Sequence, residues 1–129
     1  MAQAAGRAEV DVAAAGAGQI AVGPIDRGHL LHMTFGDRSL QRELLQLFIR
    51  QAEILLGRMR DSDAATMAAL AHTVKGSARG IGAWGVARAA EACERAAGGS
   101  SVERDLAMAD LSAALAEARP AIAELLKAG

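Results

Sequence analysis

The chain has 129 residues, with 14 Lys and Arg against 15 Asp and Glu and a formal net charge of −1. That balance excludes the basic stripe that nucleic-acid binding requires, and no run of about 18 apolar residues is present to span a membrane. The N-terminus lacks the basic-then-apolar order of a secretory signal. Cys93 is the single cysteine, so no intramolecular disulfide can form. A cytoplasmic monomer is therefore expected. Alanine dominates, there are only 2 prolines, and the aromatic residues are Phe35, Phe48 and Trp84. This composition and length predict one all-α domain with a finely packed aliphatic core.

Residues 1–23 are rich in Ala and Gly, carry scattered charges and show no helical stripe, so they read as a flexible leader. The bundle domain is expected over 24–129. Pro24 suits a helix entry, and a short first helix is predicted over 25–33. His29 and His32 are three residues apart on it, but no Asp, Glu or Cys completes a recognisable metal pattern. Gly36-Asp37 is a break and a cap, opening a helix to about Arg60. Leu40, Leu44, Leu47, Phe48, Ala52, Leu55 and Met59 mark its expected buried face.

Asp61-Ser62-Asp63 caps the next helix, which runs from Ala64 to about Arg79 and ends at Gly80 and Gly82. The following helix spans 83–97, with Val86, Ala89, Ala90, Cys93 and Ala97 on its apolar face. Cys93 thus reads as a small core residue, and Trp84 as packing beneath the Gly80–Gly82 connection. Gly98-Gly99-Ser100-Ser101 is a break, with Ser101 as the expected cap of a helix over 102–127. Val102, Leu106, Ala109, Leu115, Ala118, Ile122, Leu125 and Leu126 are its expected buried face, and Pro120 should kink or split it. Helices of this length with short connections predict an antiparallel four-helix bundle, the short first helix lying across one end.

The central stretch is the helix carrying Ala71-His72-Thr73-Val74-Lys75-Gly76-Ser77. Its apolar stripe is Met67, Leu70, Ala71, Val74, Ala78 and Ile81. At 100° per residue, His72 falls roughly 150° from the centre of that stripe, facing outward. Gly76, Ala69, Ala65 and Arg79 share its side, and Lys75 flanks it. A mid-helix glycine costs about 1 kcal/mol relative to alanine, so Gly76 suggests a close approach by something else. An exposed imidazole titrates near pH ~6.5, leaves a nitrogen lone pair at neutral pH and is a competent nucleophile. Lys75 and Arg79 suit a bound anion. The chain has no GxxxxGK[ST] loop, no kinase nucleotide motif and no paired carboxylates suggesting a metal beside His72. It offers a nucleophile and cations, and a partner must bring the rest.

His72-Thr73-Val74-Lys75-Gly76-Ser77, followed by Ile81-Gly82-Ala83, resembles the AH-x-[LV]-KGS…LGA pattern of histidine-containing phosphotransfer (HPt) domains of multistep phosphorelays. Gly36-Asp37 with Leu44, Leu45 and Phe48 also looks like that family's second helix. The resemblance implies that His72 accepts a phosphoryl group and that Lys75, with Arg79 as a further candidate, neighbours the phosphate. It implies that Gly76, with Ala65, Ala68 and Ala69 around it, forms the docking surface for a response-regulator receiver domain or a hybrid histidine kinase. No cofactor of the chain's own is implied, because the receiver supplies the aspartate and Mg²⁺. Some members present a Gln or Arg from the following helix, where this chain offers Arg88, Glu91, Glu94 and Arg95. The alternative reading is a non-catalytic helical interaction module in which His72 is merely exposed.

Overall fold

The structure is a computed structural model and describes residues 23–128. The predicted leader, apart from Gly23, lies outside the described residues. The described chain contains five helices: α1 (Arg27–Met33), α2 (Arg38–Arg60), α3 (Ala64–Ile81), α4 (Trp84–Ala96) and α5 (Ser101–Ala128). Turns of two to four residues join α2, α3, α4 and α5, so successive helices run antiparallel. Each packs on its neighbour in the chain, and α5 closes the ring against α2. The short α1 packs on α3, giving the expected all-α bundle with an additional N-terminal helix.

Side-chain caps set most of the helix starts. The carboxylates of Asp26, Asp37 and Asp63 accept from the backbone N–H of His29, Leu40 and Thr66 at 3.0, 3.1 and 2.8 Å. Each satisfies a donor that the first turn leaves unpaired. Ser100, not Ser101, caps α5. Its Oγ accepts from Glu103 N–H at 3.1 Å, and its own N–H donates to Glu103 Oε1 at 2.8 Å. This reciprocal pair is a capping box, and a glutamate three residues after Ser100 was its sequence signal. Pro120 does not split α5, which continues through it.

α1 begins later than expected. Ile25 is buried in the core rather than helical, and Asp26 is the cap. Asp26 also fastens α1 to the bundle, since its N–H donates to Gly82 O at 2.9 Å. Trp84 Nε1 donates to Asp26 Oδ2 at 2.9 Å, and the Trp84 and His29 rings lie 4.8 Å apart. Trp84 therefore closes the joint between α1 and the α3–α4 turn. The Trp84 hydrogen bond, followed by that from His29, holds the Asp26 carboxyl below its ordinary range.

Gly82 makes that joint possible. It ends α3 in the left-handed region at φ +82°, and an added Cβ would lie 2.9 Å from Asp26 O. Gly82→Ala should therefore lower stability by about 2 kcal/mol, from backbone strain and the clash together. Urea unfolding checks this, and an unchanged midpoint would contradict it.

Two predicted faces are rotated in the structure. On α2 the core residues are Leu45, Phe48, Ala52, Leu56 and Met59, with Leu44 and Leu55 partly buried, whereas Leu40 and Leu47 are exposed. On α5 the core is Ala107, Met108, Leu111, Leu115, Ala118 and Ile122, with Leu125 and Leu126 partly buried, while Val102, Leu106 and Ala109 face outward. The reason on α5 is close contact with α4. Cys93 Sγ donates to Ala107 O at 3.2 Å, so small residues must line that contact. Burial raises the Cys93 thiol to a pKa of about 11, with Asp110 adding to the effect. It is the small core residue expected, and Ala87 joins Val86, Ala90 and Ala97 beside it. Leu111 and Leu115, almost wholly buried, each contribute about 2 kcal/mol of hydrophobic stabilisation.

Candidate functional site

All six residues of the predicted α3 stripe are buried: Met67, Leu70, Ala71, Val74, Ala78 and Ile81. That face is fixed to the core, so the opposite face is turned to solvent. Ala65, Ala69, His72, Gly76 and Arg79 are exposed along it. Ala68 is partly buried against the core instead, at the edge of the outward set. A Cβ added at Gly76 would meet nothing within 4 Å. The bundle's own packing does not require a glycine there.

α3 and α4 form the most extensive helix contact among the described residues. Both present fully buried alanines, Ala71 and Ala78 on α3 and Ala90 on α4, which permit a close approach. Side chains from one helix can thus reach polar groups at the edge of the other. Glu94 does this from α4. Its Oε2 lies 3.0 Å from His72 Nδ1, and its Oε1 lies 2.8 Å from Lys75 Nζ. The His72 side chain is 68% exposed, Glu94 29% and Lys75 only 13%. The histidine is displayed while the two charges beneath it are largely covered.

The electrostatics follow from this arrangement. The Lys75 hydrogen bond, and after it the His72 hydrogen bond, hold the Glu94 carboxyl below its ordinary range against the opposing effect of burial. Glu94 is then ionised at neutral pH and can only accept hydrogen bonds. The neutral His72 ring must carry its proton on Nδ1 to complete the 3.0 Å contact. Nε2 is left with the lone pair.

Lys75 therefore turns toward Glu94 rather than standing free beside His72. Arg79 is exposed and makes no ion pair among the described residues. It stands seven residues beyond His72, about 10 Å along the axis. Of the charged residues that the sequence offers on α4, only Glu94 contacts His72, whereas Glu91 pairs with Arg95 at 3.9 Å. Glu94 is the site residue that sequence reading left undistinguished. Its position directly after the buried Cys93, on the helix that follows α3, was the available signal.

No group of three or more His, Cys, Asp or Glu able to hold a metal occurs among the described residues, and His29 and His32 do not form one. Clefts occur at the α1–α2 corner beside Arg27, Leu30 and Arg42 and in the groove between α2 and α5 beside Ile49 and Ile122. Neither includes His72. His72 stands on an open helix face, suited to a partner's surface rather than to an enclosed small molecule.

The family model described as the Hpt domain matches residues 43–128, from within α2 to the end of α5. No match was found among curated proteins or among solved structures.

Proposed function

The chain belongs to the Hpt domain family, and on that premise we propose that His72 relays phosphoryl groups between receiver domains. Hpt domains have a histidine phosphotransfer role in phosphorelays; they are carriers rather than catalysts. In this reading the donor is the aspartyl phosphate of a response-regulator receiver, free or within a hybrid histidine kinase. The acceptor is another receiver. The observation that carries the proposal is an exposed His72 whose Nδ1 is engaged by Glu94, leaving Nε2 outward with a lone pair.

The Nε2 lone pair attacks phosphorus and forms an N–P bond. The acyl P–O bond breaks, and its electron pair leaves with the aspartate carboxylate. No proton has to move, because Nδ1 keeps its hydrogen throughout. The reverse step regenerates an aspartyl phosphate on the next receiver. Phosphoryl transfer of this kind is mainly positioning and charge neutralisation. The receiver is expected to contribute Mg²⁺ and the acidic pocket, while this chain contributes the rigid nucleophile and the cations. Gly76, with Ala65, Ala69 and the edge residue Ala68, forms the low surface against which the receiver docks, and Arg79 lies at its margin. In this reading the protein works in the cytoplasm as a monomeric carrier. No helix among the described residues is long and apolar enough to cross a membrane.

Incubation with phosphorylated receiver domains of the source organism and Mg²⁺ tests the proposal. The label should move onto this protein, survive alkali and be lost in acid, as an N–P bond requires. Failure of every receiver to transfer would overturn it, leaving a helical interaction module.

A further inference from the structure

The start of α1, the start of α2 and the end of α5 enclose a cleft of about 250 Å³. No residue of α3 or α4 lines it, so it is separate from His72, Lys75 and Glu94. Three arginines form its polar wall, Arg27 from α1 and Arg38 and Arg42 from α2. Its apolar floor includes the buried Leu30 and Leu45 and the partly buried Leu125. No carboxylate lines it.

The fold makes little use of this charge. α2 begins at Arg38, so Arg38 and Arg42 occupy its first two turns. A helix N-terminus is the positive end of its dipole and favours acidic side chains. The first turn of α2 has none, and neither has that of α1. The acids adjoining these turns in sequence are committed to other groups. Asp26 accepts from His29 N–H and Trp84 Nε1, and Asp37 accepts from Leu40 N–H. Arg38 is already engaged within the chain. Arg27 and Arg42 make no ion pair among the described residues. Two cations thus stand over an apolar floor with no anion of the protein's own to meet them.

We propose that this cleft binds a compact phosphate monoester with an apolar face, of the nucleoside monophosphate class, independently of phosphoryl transfer at His72. Arg27 and Arg42 each offer a planar guanidinium fork, which suits phosphate oxygens. The positive end of α2 adds to the attraction. α1 is fastened to the bundle through Asp26, Gly82 and Trp84, so Arg27 is carried on a fixed element. The leucine floor receives the apolar face, which inorganic phosphate would leave unused. Gln41 is oriented in the wall, because its Nε2 donates to the buried Thr34 Oγ1 at 3.0 Å. Its amide oxygen is then the acceptor for a ligand hydroxyl. Pockets for drug-sized ligands hold about 300–1,000 Å³, so this smaller cleft selects a single nucleotide over a dinucleotide.

Titration of the ¹⁵N-labelled protein with AMP, followed by ¹H–¹⁵N NMR, tests this. Saturable shifts should appear at the amides of Leu31, Gln41, Arg42 and Leu125. AMP should bind at least about tenfold more tightly than inorganic phosphate, and adenosine should not compete. Arg27→Gln and Arg42→Gln should each weaken AMP binding about tenfold, the scale of one charged hydrogen-bonding partner. Both side chains lie at the surface or its edge, and an unchanged urea midpoint should show that the variants remain folded. Absence of saturable shifts at millimolar AMP would overturn the proposal. So would equal affinity for inorganic phosphate, or AMP binding that both arginine variants retain in full. Sedimentation with phosphatidic acid vesicles by a protein that ignores AMP would assign the arginines to a lipid surface and equally overturn it. None of these measurements involves a receiver, so the outcome is independent of the relay reading.

Discussion

His72→Gln should abolish phosphoryl acceptance while leaving the bundle folded. The side chain is 68% exposed and contributes nothing to the core. Surface replacements of this kind change stability by only about 0.5 kcal/mol, and glutamine is a good helix former. An amide has no nucleophilic nitrogen lone pair comparable with that of imidazole, so the chemistry disappears without the scaffold. Labelling from a phosphorylated receiver should fall to background, and the urea midpoint should stay within error of wild type. A variant that still took up label would mean that the phosphoryl group resides elsewhere. A variant that unfolded would mean that the His72–Glu94 contact is structural.

Gly76→Gln should separate the fold from docking in the opposite sense to Gly82→Ala. Gly76 lies inside α3 with an ordinary helical backbone and open space where a Cβ would go. Replacing it relieves the helix of a residue about 0.5–1 kcal/mol worse than glutamine, so the urea midpoint should rise slightly. Yet the new side chain stands one turn from His72 on the same face. A receiver docking over His72 would be displaced, and misplacement by about 1 Å can cost 10²-fold in rate. Transfer from a phosphorylated receiver should therefore slow by at least about a hundredfold, as followed by rapid-quench labelling. Transfer at the wild-type rate would remove the docking explanation for this glycine. The two glycines are separable on physical grounds alone: Gly82 is required by φ +82° and by Asp26, whereas no atom of the described chain requires Gly76.

The outward placement of His72 was legible in the sequence because α3 offers only one continuous apolar stripe. Six apolar residues recur at helical spacing there, and each of them is buried. α2 and α5 were less legible for a definable reason. α2 carries leucines around most of its circumference, so periodicity alone admitted a face through Leu40 and Leu47 where packing chose Leu45 and Leu56. On α5 Ala107 and Met108 are buried, Ala107 in the tight contact with α4, and Val102 and Leu106 are left outside. Hydrophobicity ranks those residues in the reverse order, and only the close approach marked by the Cys93–Ala107 contact decides between them. The start of α1 depends on Asp26 meeting Trp84 and Gly82, residues more than fifty positions away. No local signal encodes that. Glu94 is the corresponding case in the site: it was visible as a charge on the following helix, but its selection over Arg88, Glu91 and Arg95 needed the rotation of α4 against α3.

The claim on which the account turns is that His72 carries the phosphoryl group. The most direct measurement is to phosphorylate wild type from a receiver, digest it with trypsin under alkaline conditions and locate the label by mass spectrometry. The account predicts label on the peptide of residues 61–75, which lies between the cleavage sites after Arg60 and Lys75 and contains His72 as its sole histidine. Acid-labile label confined to that peptide is the expected result. Label on a peptide containing His29 or His32, or label on 61–75 that survives acid, would contradict it.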